Sequence, residues 1–171
     1  TGKWHLGSLP EWGPRQFGFT HSHGSLAGGV NPLNHFYKHG KYMKTWHRND
    51  RLIEEEGHAT DLIAREAIRY IRMERDGPFF VYVPFTAVHT PFLEEKRYLE
   101  AVKHIPDDRR FFAACLVHLD EKIGEIIKAV DDSGQRDNTL ILFFSDNGGQ
   151  NPSSDDSRRY PDTKPTSKFK G

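Results

Sequence analysis

Two apolar runs on either side of a long amphipathic helix are the feature of this sequence that most restricts its fold. Residues 79–85 (FFVYVPF) and 138–144 (NTLILFF) have the length and continuous apolarity of strands that are buried on both faces of a sheet. Between them, apolar residues recur every three or four positions from about 108 to 133, which predicts one helix that ends at Gly134. This strand–helix–strand order predicts a βαβ crossover and a parallel sheet.

Two shorter helices are predicted before the long one. Residues 60–76 place apolar side chains on one face, with Thr60 as the expected N-cap and with Gly77 and Pro78 as the stop. A second, shorter helical stretch is predicted near 95–104. The two helices would therefore lie on either side of the first apolar run.

The two ends of the chain lack sustained periodicity. Residues 1–58 are rich in Gly, Pro, His and aromatic side chains, and we expect a long irregular region, which in a compact domain is commonly functional or disordered. Residues 151–171 are polar and predict a loop or a disordered end. The sequence therefore predicts one domain over residues 1–150, followed by this polar end.

The composition argues against several classes of protein. The 171 residues include 24 basic and 24 acidic ones, so the formal net charge is zero and a globally basic nucleic-acid-binding protein is not expected. No apolar run reaches the roughly 18–20 residues of a membrane-spanning helix. The single cysteine, Cys115, excludes an internal disulfide and a cysteine-cluster zinc site, and its place on the apolar face of the long helix predicts a buried side chain.

Polar residues follow both predicted strands. His89 comes just after residues 79–85, and Asp146 and Asn147 come just after residues 138–144. Because ligands of open α/β sheets bind outside the carboxyl ends of parallel strands, we expect these residues to share one pocket. Carboxylate and amide oxygens suit Ca²⁺ or Mg²⁺, although an Asn-Gly-Gly sequence is equally typical of a simple turn.

Two further segments carry candidate groups for an anion. In AVHTPF, His89 can donate a hydrogen bond to an anion or shuttle a proton, and the alternative is a histidine satisfied by a backbone carbonyl. In TGKWHLG, Lys3 and His5 would point to one side of an extended segment, where an ammonium and an imidazole suit phosphate or sulfate. The alternative there is a surface turn with Trp4 buried.

The region after this opening segment offers weaker signals. His21 and His23 (HSHG) have a spacing that permits a metal site, but no third ligand is evident. Residues 8–50 are expected to form the mouth of the pocket, where Trp12 and Trp46 would contact a sugar or an aryl ring.

The segments TGKWHLG, FFVYVPFTAVHTPF and NTLILFFSDNGGQ, in this order, resemble the sulfatase family and especially the arylsulfatases. The resemblance implies an alkaline-phosphatase-like α/β/α sandwich with a mostly parallel sheet, which would be incomplete in this chain. It also implies a nucleophile made from a cysteine or serine by conversion to formylglycine, and a divalent cation, usually Ca²⁺ or otherwise Mg²⁺.

The resemblance assigns a role to each candidate residue. Lys3 is similar to the lysine that bridges nucleophile and sulfate, and His5 to the histidine that holds the nucleophile and serves as a base when sulfate leaves. His89 is similar to the histidine that contacts sulfate and protonates the leaving oxygen. Asp146 and Asn147 are similar to two of the metal ligands.

The sequence also departs from the family pattern. It contains no C-x-P-x-R or S-x-P-x-R segment, and Cys115 lies in AACLVHLD instead. The resemblance therefore implies an internal piece of a longer enzyme, with the formylglycine expected upstream of Thr1. On its own this piece would be inactive and would self-associate through uncovered sheet edges.

The expected substrate is a sulfate-ester small molecule or a sulfated glycan. Two alternatives stay open: a phosphate mono- or diester hydrolase of the same superfamily, and a non-catalytic fragment that binds metal or takes part in assembly. The compartment stays open as well.

Overall fold

The sheet of this protein lies near the start of the chain. The computed structural model describes residues 1–38, 40, 43–146 and 148. Its four short strands are β1 (Gly2–Lys3), β2 (His23–Ser25), β3 (Trp46–Arg48) and β4 (Arg51–Leu52). They lie in the order β1-β2-β3-β4; β1 pairs with β2 in parallel, and the other two pairings are antiparallel.

The irregular region predicted for residues 1–58 is thus corrected, because every strand assigned in the described residues lies in it. Each of these strands is only two or three residues long. A strand shows itself in a sequence through the alternation of side chains between two faces, and two or three residues are too few to show it.

Three α-helices follow the sheet: α1 (Ala59–Ile71), α2 (Lys96–Ala101) and α3 (Asp107–Asp132). The three predicted helices are confirmed, with shifted ends. His58, not Thr60, caps α1, because its Nδ1 accepts a hydrogen bond from the Thr60 amide at 3.2 Å. Short 3₁₀ turns lie at Pro10–Trp12, Pro14–Phe17 and Arg136–Asn138.

The core is divided among three small clusters of buried side chains. The first joins the sheet to the start of α1, the second packs the end of α1 on α3, and the third packs α2 on α3. Their buried members are Val30, Trp46, Ala59, Leu62 and Ile63 in the first, Ile71, Ala129 and Val130 in the second, and Tyr98, Val102 and Ala114 in the third. Cys115 is also buried, as predicted. Among the described residues, none of the helices combines the length and the apolarity that a bilayer crossing requires.

Residues 79–85 lie beside β1 but are not assigned as a strand. The amino group of Thr1 donates to the carbonyl of Tyr82 at 2.8 Å, and the Lys3 amide donates to the carbonyl of Pro84 at 2.7 Å. Donors and acceptors both advance by two residues, so this segment runs parallel to β1. Its side chains are only half-buried, and Phe80 is 74% exposed. The segment therefore lies parallel to β1, a pairing that was not predicted, and the predicted burial is not observed.

The second predicted strand, at residues 138–144, is wrong for the structure described. The segment is not assigned as a strand, and Leu140 and Phe143 are 84% and 80% exposed. An apolar run becomes a buried strand only where neighbouring backbone supplies its hydrogen bonds. Within the described part of the chain, no backbone hydrogen bond joins residues 140–144 to another segment. The βαβ crossover predicted from the two runs is accordingly not formed there.

We expect the chain to self-associate in solution. The run from Leu140 to Phe144 presents large exposed apolar side chains, and such patches on unpaired backbone promote association. Replacing Leu142 and Phe143 by lysine should reduce the mass seen by light scattering after size-exclusion chromatography. Leu33→Lys, at an exposed site elsewhere, is the control and should leave the mass unchanged. A monomer at every concentration of the unchanged chain would contradict this expectation.

Candidate active site

β1 brings Lys3 to the centre of the candidate site. β1 lies between β2 and residues 79–85, and the backbone packing is tight enough that a Cβ on Gly2 would be 2.1 Å from the carbonyl oxygen of Pro84. Gly2 also has φ +127°, which side chains rarely tolerate. The Nζ of Lys3 lies 3.2 Å from Oδ2 of Asp146, so two predicted site residues that are 143 positions apart in the sequence form an ion pair.

His5 follows Lys3 in a strained conformation. Its φ is +64°, and its amide donates to the carbonyl of Leu26 at 3.0 Å. Non-glycine residues in the left-handed region cost free energy and are concentrated at functional sites. The imidazole covers Gly28: a Cβ at that position would be 2.3 Å from Nε2 of His5. The absence of a side chain at Gly28 therefore leaves the space that the imidazole of His5 occupies.

His89 lies against the next residue of the same segment. A Cβ on Gly29 would be 2.8 Å from Nδ1 of His89, so two adjacent glycines each pack against one imidazole, and the charge of His89 acts on His5. Nδ1 of His89 is 2.7 Å from the carbonyl of Thr90. Because a carbonyl only accepts, Nδ1 carries the proton, and Nε2 is the nitrogen that can exchange one with a ligand.

Charges around His5 set its protonation. Burial lowers the pKa of His5, and the positive charges of Lys3, His89 and Lys38 lower it further, while Asp146 opposes them. The imidazole is therefore neutral at pH 7 and able to accept a proton. Lys38 was not predicted: it lies in an irregular segment, and no spacing or motif in the sequence connects it to His5.

The predicted metal ligands are described only in part. Asp146 reaches the site, with its side chain 67% exposed, whereas Asn147 lies outside the described residues. The hard carboxylate oxygens of Asp146 fit Ca²⁺ or Mg²⁺, and the nearby ammonium of Lys3 would be a competitor for them. Both cations need about six or more oxygens, so Asp146 would be one ligand among several.

Comparison with known proteins identifies the family of this chain. The sequence matches the family model of the sulfatases over residues 1–169. The chain belongs to the sulfatase family. It is 30% identical over 159 residues to N-acetylgalactosamine-6-sulfatase of Rattus norvegicus, a match that covers 86% of this chain and 29% of that relative. It is 33% identical over 158 residues to arylsulfatase J of Mus musculus, with 88% of this chain and 26% of that relative covered.

A solved structure gives the same answer for the fold of the sulfatase chain. The crystal structure of Ps i-CgsB in complex with k-i-k-neocarrahexaose superimposes with a TM-score of 0.71 at 26% identity, over 80% of this chain and 34% of that one. The alkaline-phosphatase-like α/β fold expected from the sequence is thus confirmed, and the described residues hold a mixed four-stranded sheet and helices of it. The sulfatase chain spans less than a third of the length of the two relatives above.

Two weaker sequence signals have structural explanations in this sulfatase chain. His21 and His23 each face a carboxylate, Glu66 at 2.6 Å and Glu55 at 2.7 Å, so each imidazole already has an acidic partner. The suggested contact of Trp46 with a sugar or aryl ring is wrong, because Trp46 is 3% exposed and belongs to the core.

Gly28→Ala should displace His5 and destabilise the sulfatase chain. Gly28 has an ordinary φ, so the new methyl group acts by overlap with the imidazole, and overpacking of this kind costs about 1–3 kcal/mol of unfolding free energy. Chemical denaturation measures that loss, and the NMR signals of the His5 ring report its displacement. Gly77→Ala is the matched control, because nothing lies within 4 Å of a Cβ there. Equal effects of the two substitutions would contradict the packing of His5 on Gly28.

Proposed function

We propose that this chain supplies the sulfuryl-binding half of the active site of a sulfuric-ester hydrolase. The observation that carries the proposal is the ion pair of Lys3 and Asp146, at 3.2 Å, beside two imidazoles held by Gly28 and Gly29. Membership of the sulfatase family supports hydrolysis of sulfate esters as the reaction class.

Lys3 is proposed to bind the oxygens of the sulfuryl group. Its side chain is 19% exposed, so its ammonium is partly shielded from water. A fixed charge stabilises an anion more strongly there than in bulk water. Asp146 holds the ammonium in position before substrate binds. Lys38, whose charge also acts on His5, adds to a positive field that attracts an anionic ester.

The two imidazoles are proposed to handle protons at different steps. In the imidazolium form, which carries a proton on each nitrogen, Nε2 of His89 donates its proton to the ester oxygen that leaves and becomes unprotonated, while Nδ1–H stays bound to the Thr90 carbonyl. His5 is neutral because burial and its cationic neighbours lower its pKa, so it accepts a proton from the nucleophile.

Two groups outside the described residues complete the proposal. A divalent cation would be held in part by Asp146, with Asn147 as a second ligand, and would supply charge to the sulfuryl oxygens. The nucleophile is proposed to be a formylglycine, for which this sequence has no C-x-P-x-R or S-x-P-x-R segment.

A sulfated glycan is the substrate class we favour over a small aryl sulfate. One relative is named for a sulfated amino sugar, N-acetylgalactosamine 6-sulfate, and one similar structure holds a neocarrahexaose. Trp12, which is 59% exposed in the turn Pro10–Trp12, is proposed to offer a ring face to a sugar.

The experiment compares the 171-residue chain with a longer polypeptide that places a C-x-P-x-R segment N-terminal to Thr1. We expect nitrocatechol sulfate and a sulfated oligosaccharide to be hydrolysed by the longer polypeptide only. Hydrolysis by the 171 residues alone that is lost in His5→Ala would contradict the proposal that the nucleophile lies outside these residues. Faster hydrolysis of nitrophenyl phosphate than of the sulfate by the longer polypeptide would instead favour a phosphate-ester hydrolase.

A further inference from the structure

A second cluster of charged side chains lies where α1, α3 and the segment after His89 meet. Its centre is His118 on α3, whose side chain is fully buried. Nδ1 of His118 is 2.9 Å from Oε2 of Glu94, and Nε2 is 3.2 Å from Oδ1 of Asp61. Carboxylates only accept, so both nitrogens donate and the imidazole is the charged form.

The surroundings of His118 balance its charge. The ring of Tyr98 stacks on it with centroids 4.2 Å apart, and the His58 ring lies on another side at 4.6 Å. Nζ of Lys122 is 3.1 Å from Oδ1 of Asp61, so two cations face two carboxylates at the centre of the cluster. Four further groups surround these: Glu121 and Glu125 pair with Lys122, the thiol of the buried Cys115 interacts with Glu94, and Arg97 lies over the Tyr98 ring and pairs with Glu121.

The cluster fastens the segment that carries His89. Glu94 lies five residues after His89 and its side chain is 1% exposed. The preceding residue, Leu93, accepts a hydrogen bond at its carbonyl from Nε2 of His58 at 3.0 Å. The segment is therefore tied to α3 through Glu94 and to the N-terminus of α1 through Leu93.

The same residues also have the donor set of a metal site. One ligand atom from each of His58, Glu94 and His118 lies within 4.8 Å of the others. However, His58 accepts from the Thr60 amide at Nδ1 and donates to the Leu93 carbonyl at Nε2. A metal would have to displace these bonds and a proton from His118, so the hydrogen bonds present favour an ionic cluster without metal.

We infer that His118 is a positioning residue that, through Glu94, holds the segment bearing His89 against α1 and α3. The inference rests on the proposed function of His89 in proton donation to the leaving oxygen. A loss of the Glu94–His118 pair frees one end of the segment, so the Nδ1–Thr90 hydrogen bond of His89 is no longer fixed and the orientation of Nε2 is lost.

The charge of His118 gives this tie a pH dependence. Burial acts to lower the pKa of His118, but the hydrogen bonds and charges of Asp61 and Glu94 outweigh it and raise the pKa to about 9. A histidine with a raised pKa stabilises the folded state fully below its ordinary value of 6.5, and this contribution is lost as the pH rises through about 9. The tie is therefore strongest below about pH 6.5, is still largely present at neutral pH, and is lost on the alkaline side of about pH 9.

The test reads the His89 ring by NMR in the full chain, so it does not depend on hydrolysis. In His118→Gln and Glu94→Gln we expect the ring nitrogens of His89 to change from a single Nδ1–H tautomer to a mixture of tautomers. In the unchanged chain the same mixture should arise as the pH rises through 9. Ile71→Val, which loosens the contact of α1 with α3 away from this segment, is the matched control and should leave His89 unchanged.

Each outcome of this test supports or overturns the inference. If His118→Gln does not fold, the His89 tautomer is measured in the milder variant Glu94→Gln. Folded variants of both kinds with an unchanged His89 tautomer would overturn the inference. Stoichiometric binding of Zn²⁺ by the unchanged chain, lost in His118→Gln, would also overturn it in favour of a metal site. In the longer polypeptide, Glu94→Gln should lower kcat by about tenfold or more with little change in KM, which would support positioning of His89. The NMR result on His89 stands separately, so it would still support the positioning if the sulfate group were found to bind elsewhere.

Discussion

Lys3→Ala should lower kcat/KM for a sulfate ester by about 100- to 1,000-fold in a polypeptide that also carries the nucleophile. This is the range for removal of one fixed group that stabilises charge on oxygen in a transition state. Lys3 is suited to that task because Asp146 holds its ammonium at 3.2 Å and most of its side chain is shielded from water. Steady-state rates with nitrocatechol sulfate measure the effect.

Two further variants show whether the effect of Lys3→Ala depends on the charge at this position. Lys3→Arg retains the charge but changes the shape of the donor, and we expect it to recover only part of the activity. Lys44→Ala removes a lysine that pairs with Glu54 at the surface and should leave the rate unchanged. Equal activity of Lys3→Ala and Lys44→Ala would contradict the proposed role of Lys3.

Glu66→Ala should lower the free energy of unfolding by about 3–5 kcal/mol, the cost of removing one partner from a buried ionic group. The side chain of Glu66 is 5% exposed, and its Oε1 lies 2.6 Å from His21, 2.8 Å from Arg48 and 2.6 Å from Arg69. Without this carboxylate the guanidinium groups of Arg48 on β3 and Arg69 on α1 would repel one another. Urea denaturation measures the loss.

The same carboxylate should make the protein sensitive to acid. Burial acts to raise the pKa of Glu66, but its hydrogen bonds with His21, Arg69 and Arg48 outweigh it and hold the pKa far below the ordinary 4.5. A lowered pKa means that the stabilisation is present above pH 4.5 and is lost as the pH falls further. Glu66→Ala should therefore flatten the decline of stability in acid. Glu54→Ala, at an exposed ion pair, is the control, and an equally steep decline in both variants would contradict this account.

The sequence predicted the helices because they follow from a periodic pattern of apolar residues. The α3 helix has many turns of an apolar face, so its existence and its end near Gly134 could be read directly. His89 and Asp146 follow two apolar runs that were expected to point the same way. Both residues do lie near Lys3 and His5 in the structure, although the second run is not a strand in the described residues.

Other features could not be predicted because they depend on contacts between distant residues. The strands before residue 58 are held by pairing with each other and with residues 82–84, which leaves no local pattern in two- or three-residue segments. Glu66 looked like one of many helix carboxylates, yet its partner His21 lies 45 residues away. The exposure of Leu140 depends on the absence of neighbouring backbone in the described structure, which the apolarity of the run does not reveal.

The most direct test is a titration of the 171-residue chain with inorganic sulfate, followed through the NMR signals of its histidine rings. If Lys3, His5 and His89 form one anion-binding pocket, the signals of His5 and His89 will move together and saturate at one dissociation constant. The exposed His104 will stay in place, and Lys3→Ala will abolish the movement. Signals of His5 and His89 that do not move, or that follow His104, would contradict the shared pocket.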